Sequence, residues 1–108
     1  MELWEELQQK DEMLKYCIKS LQKNGRALAE AERAYKVLLR EECLKLRDEG
    51  MPVTLIEKIC YGIPSVADAR FARDIAEAAY KANQEAIMGI KLQMKIIDAQ
   101  IDREWGQA

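Results

Sequence analysis

The side chains best suited to chemistry in this chain are its acids, its thiols and a run of arginines; of 108 residues none is histidine. Without His the chain lacks the commonest general base and metal ligand. Carboxylates on helices can still hold Mg²⁺, provided that enough oxygens converge on one site. The pattern that achieves this on two helices is Glu-Glu-x-x-Glu facing Glu-x-x-Asp. Here Glu5-Glu6 is followed by Gln9 where the third Glu belongs, Glu41-Glu42 is followed by Lys45, and Asp74-x-x-Glu77 stands alone. A di-iron bundle needs Glu-x-x-His. The acids read instead as solvated positions balanced by lysines and arginines one turn away.

The nucleophiles are no better supplied. Cys17, Cys43 and Cys60 are widely spaced and odd in number, with no CxxC among them. That spacing supports neither a zinc site nor a disulfide framework, so reduced thiols are expected. None has a His to activate it, and Ser20 and Ser65 have no base nearby in sequence. The five glycines are scattered rather than gathered into a phosphate loop. These residues predict a protein that is not an enzyme and that takes no cofactor and no metal.

The most suggestive polar pattern is basic. Lys19, Arg26, Arg33, Arg40 and Arg47 recur every seven residues, and Lys36 joins them between Arg33 and Arg40. On a helix they form one stripe, which could track a nucleic-acid backbone or an acidic protein surface. A charged outer face is also what any solvated long helix presents. The net charge of −2 gives no basic footprint, although the sign varies along the chain. Residues 1–14 are acidic, residues 15–47 carry nine basic against four acidic side chains, and residues 48–108 are acidic again.

The elements that must position this stripe are helices. Leu7, Leu14, Leu21, Leu28 and Tyr35 recur at intervals of seven, with Cys17, Ala31 and Leu38 three residues after some of them and Ile18 and Leu39 four after others. That heptad seam predicts one long helix over residues 2–49, with the basic stripe on the side opposite the seam. Asn24-Gly25 is the weak spot in it, read as a kink or a close-packing notch because the seam keeps its phase from Leu21 to Leu28. A break there is the alternative. A second long helix is predicted over residues 65–104. Its inner stripe is read as Ala72, Ile75, Ala79, Ala82, Ala86, Ile90, Met94, Ile97 and Ile101.

Between them lies a joint, residues 50–64, which holds both prolines and two of the glycines. Gly50 fits a helix C-cap and Pro52 forbids continuation. Thr54 and Glu57 have the spacing of a capping box, which predicts a short helix over Leu55–Tyr61. Ser65 is expected to cap the last helix. Met51, Val53, Leu55, Ile56, Ile59, Cys60, Tyr61 and Ile63 are eight apolar residues in a segment too short for its own core. Either they fold back on Leu44, Leu46, Val66 or Phe71, or some form an exposed patch that binds a partner.

The fold class expected is therefore all-α: a long antiparallel, coiled-coil-like helical hairpin with a short helix at its tip, in a single domain spanning residues 1–108. Folding about the joint sets Leu7 near Trp105, Leu21 near Ile90, and Ala31 near Ala79 and Ala82. The alanine-rich sections (Ala27, Ala29, Ala31 and Ala34 on the first helix) would then meet. Each arm buries only one narrow seam. Leu39, Leu44, Leu46, Ile87, Leu92 and Ile96 lie off it, which predicts a homodimer closing into a helical bundle. The N-terminus is acidic where a signal peptide would be basic, and no apolar run approaches a membrane span. A soluble cytoplasmic protein with no membrane partner is expected.

Around the joint and beyond it, the residues carry a resemblance. The runs LRDEGMPVTLIEKICYG, ARFARDIAEAAYKANQEAI and IDREWG, with ALAEAERAYKVLLRE before them, resemble a group of small helical proteins encoded by phages and prophages of Gram-positive bacteria. The similarity covers roughly Gly25 to Gly106 and is most specific from Glu49 to Ile56. Such proteins are encoded near recombination and single-strand-binding functions, and the resemblance transfers no catalytic residue. It implies an accessory protein in the bacterial host cytoplasm. That protein would bind a host or phage protein, to inhibit a defence system or modulate recombination. Nucleic-acid binding and a virion scaffolding role are the alternatives. The partner-binding residues expected are the basic stripe and, in the joint, Met51, Val53, Leu55, Ile56, Ile59 and Tyr61.

Overall fold

The computed structural model describes residues 2–106, and the chain is all-α, with no strand among them. Helix α1 runs Glu2–Asp48, α2 runs Val53–Ile59 and passes into a single 3₁₀ turn, Cys60–Gly62, and α3 runs Pro64–Gly106. The order is that of a helical hairpin with a short helix at the joint. Helix α1 is continuous through Asn24 and Gly25, so the chain does not break there. Acidic Glu2 and Glu5 open it and basic Lys45 and Arg47 close it, as the helix dipole favours.

The end of α1 is fixed by backbone alone. Gly50 N–H donates to Arg47 C=O at 2.9 Å and Met51 N–H to Leu46 C=O at 3.1 Å. Together they make a Schellman motif, with Gly50 at φ +90°, a conformation in which a side chain is strained. Pro52 is the N-cap of α2, its carbonyl accepting from both Leu55 and Ile56 N–H at 3.0 Å. The expected Thr54–Glu57 box is therefore not formed: α2 starts at Val53, Thr54 lies inside it, and no side chain caps it. Ser65 is likewise not a cap. Pro64 takes the first position of α3, where its missing N–H costs nothing, and Ala67 N–H donates to Ile63 C=O at 2.8 Å.

The chain forms two compact units. The first joins α1 up to Asn24 with α3 from Tyr80 onward. Its core is a seam of half-buried Leu3, Leu7, Leu14, Cys17 and Leu21 on α1 against Ile87, Ile90, Ile97 and Ile101, which are 7–8% exposed. Burying an isoleucine stabilises by about 1.5–3 kcal/mol. At the end of this seam, level with Asn24, sits Asn83, 9% exposed. It accepts from Asn24 Nδ2 at 2.8 Å and donates to Cys17 C=O at 3.0 Å.

The second unit, Gly25–Ala79, contains the joint. Its core is Tyr35, Ile56, Cys60 and Val66, the last with no exposed surface. Half-buried Leu38, Leu46, Met51 and Ile63 surround them.

Two sequence expectations change here. The α1 seam is as expected except at Ile18, which is 42% exposed because Cys17 takes the inward position beside it, but the α3 stripe is one residue out of phase over its first half. Ala72, Ile75, Ala79, Ala82 and Ala86 are exposed, and the inward positions are Arg73, Ala76, Tyr80, Asn83 and Ile87. The phases merge at Ile90. The pairing register shifts accordingly. Leu21 lines a groove with Ile87, Trp105 lies beside Leu3 and Trp4, and Asn24 bonds Asn83. Ala27, Ala29 and Ala34 are exposed, so the alanine sections do not form the seam.

Candidate interaction site

The joint divides its apolar residues in two. Ile56 and Cys60 point into the core of the second unit at 6% and 3% exposure. Val53 (55%), Leu55 (43%), Ile59 (39%) and Tyr61 (48%) are exposed. A seven-residue helix has only one inward stripe, and Ile56 with Cys60, four apart, fills it. Phe71, expected as a cover, is itself 66% exposed, and Leu44 is 48% exposed. The chain leaves these four side chains in water, Leu55 and Ile59 one turn apart on one flank of the inward stripe and Val53 on the other. Met51, half-buried, belongs to the support beneath them.

Aromatic and cationic groups border these side chains. The Arg70 guanidinium lies 5.6 Å from the centroid of the Tyr61 ring. Deeper in, Arg73 lies 4.8 Å from the centroid of buried Tyr35, and Asp74 Oδ1 accepts from its Nε at 3.1 Å and Nη2 at 2.8 Å. Asp74 keeps the Arg73 guanidinium firmly protonated. The sequence reading missed Arg73 because a charged residue at a seam position runs against binary patterning. The signal for it was the ring of Tyr35, which offers a cation a partner.

All six basic residues singled out in the sequence are exposed, Lys19 in the first unit and Arg26, Arg33, Lys36, Arg40 and Arg47 in the second. Arg26 pairs with Glu30 at 3.1 Å and Lys36 with Glu32 at 3.6 Å. Arg33, Arg40 and Arg47 make no ion pair among the described residues. Such exposed pairs contribute about 0–1 kcal/mol each. No group of three or more acids and thiols among the described residues is placed to hold a metal ion. No helix among them is long and apolar enough to cross a membrane.

The three cysteines are free thiols. Cys43 on α1 interacts with Cys60, and burial together with that neighbour pushes its thiol above the ordinary value. A raised pKa leaves less thiolate at neutral pH. Cys43 is therefore expected to alkylate with iodoacetamide more slowly at pH 7.4 in the folded chain than in the urea-unfolded one, followed by mass spectrometry. A faster rate contradicts the environment described.

No family model, no curated protein and no solved structure matches this chain.

Proposed function

We propose that this protein is a non-enzymatic accessory factor that works by binding another protein through the outward face of its joint. The observation that carries the reading is the division of α2: Ile56 and Cys60 anchor it, while Val53, Leu55, Ile59 and Tyr61 stay exposed. Several large apolar side chains left exposed beside charged ones are what binding surfaces present. Arg70, Lys58 and Glu57 supply the charge. The resemblance to phage and prophage proteins makes the host cytoplasm the setting. A host defence or recombination protein is then the class of partner.

The test is affinity capture from the bacterial host with Leu55 and Ile59 both changed to Ser. Both are exposed, so the fold should persist, whereas Ile56 is part of the core and unsuited to such a control. Partners retained by the parent should be lost from the double variant. Recovery of the same partners by both chains would remove the joint from consideration.

A second reading, nucleic-acid binding through the basic stripe, is favoured by one observation: Arg33, Arg40 and Arg47 are exposed and make no ion pair among the described residues. It predicts DNA binding that falls steeply with salt. Absence of binding at low salt would end it.

A further inference from the structure

We propose that the outer face of α3 in the first unit is a self-association surface, occupied by a second copy of this chain lying antiparallel about a two-fold axis at Gly89. The area comes first. The chain exposes 8353 Å², whereas folded monomers of its mass, 12.4 kDa, expose about 6,100 Å². The excess, about 2,200 Å², is more than the roughly 800 Å² that each partner contributes to a stable interface of standard size. A second copy has surface enough to cover.

The face is also patterned. Ala82, Gly89 and Ile96 fall seven residues apart in one row, with Ala86 and Leu92 beside it. Leu92 is 60% and Ile96 51% exposed, and a Cβ added at Gly89 would meet nothing within 4 Å. A repeat of seven keeps such a row facing one partner helix. With the two-fold at Gly89, Ala82 of one copy opposes Ile96 of the other and Gly89 opposes itself. Small residues meet large ones, and the backbones come closest where no side chain intervenes.

Charge on the two copies is complementary as well. Glu85 and Lys95 are exposed beside the row and make no ion pair among the described residues. The same two-fold brings Glu85 of one copy toward Lys95 of the other, twice over. Isologous pairing of this kind closes a dimer.

The experiment is light scattering on gel-filtered full-length chain across micromolar concentrations, with circular dichroism to check helicity. The parent should run at twice 12.4 kDa. Gly89→Glu should run as a monomer with unchanged helicity, because it sets two carboxylates against each other. Glu85→Lys and Lys95→Glu should each weaken the dimer several-fold, and the double exchange should restore it. The proposal is overturned by a monomeric parent, by a dimeric Gly89→Glu, or by a double exchange no tighter than the singles. Should Gly89→Glu lose helicity, the charge exchange decides alone. This surface and the joint lie in different units, so either reading can fail without the other.

Discussion

Ile56→Ala is expected to lower folding stability by about 2–5 kcal/mol, the cost of removing a large aliphatic side chain from a packed site. Ile56 is 6% exposed in a core that also holds Tyr35, Cys60 and Val66. Helix α2 has seven residues, far too few to be stable in isolation. It persists because Ile56 and Cys60 tie it to the second unit. Truncating Ile56 leaves a cavity beneath the helix and removes most of what holds it. Leu55→Ala, on the exposed side, should change stability by no more than about 0.5 kcal/mol. Urea unfolding of the two variants checks this, and equal midpoints would show that the two faces of α2 are misassigned.

Asn83→Ala is expected to cost about 1–3 kcal/mol by leaving buried polar groups without partners. Asn83 holds Asn24 and the Cys17 carbonyl across the seam of the first unit. Its removal leaves the half-buried Asn24 amide without its partner across the seam. The informative companion is Asn24→Leu with Asn83→Leu. Replacing both partners removes the desolvation penalty and should recover or exceed parental stability. A single polar pair in an apolar seam is also what fixes one register against its neighbours. The double variant should therefore gain thermal stability while its amide hydrogen exchange becomes faster near residue 83. A double variant less stable than Asn83→Ala would refute this account.

How much of this was legible beforehand depended on where apolar residues coincide with the seam. On α1 they do: Leu7, Leu14, Leu21, Leu28 and Tyr35 alone give the phase. The joint was legible as well, since Gly50 and Pro52 act through the backbone and leave few alternatives. On α3 the seam passes through Arg73 and Asn83, while alanines fill the next row. Hydrophobicity therefore pointed to the wrong row. What corrects it is tertiary: Tyr35 and Asp74 receive Arg73, and Asn24 receives Asn83. The two capping side chains failed for a related reason. Prolines at positions 52 and 64 start both helices earlier, so Thr54 and Ser65 fall inside them. The candidate site was legible as a composition, eight apolar residues in a short segment, but not as a division between inward and outward ones.

The joint holds its shape through Gly50, Pro52 and Pro64 and through main-chain hydrogen bonds, without help from any side chain on the outer face of α2. Positions 53, 55, 59 and 61 are consequently free to vary at little structural expense. A library randomised at those four positions should retain its helicity, while one randomised at Gly50 should not. A chain built this way can exchange one recognition surface for another over evolutionary time and keep the same scaffold.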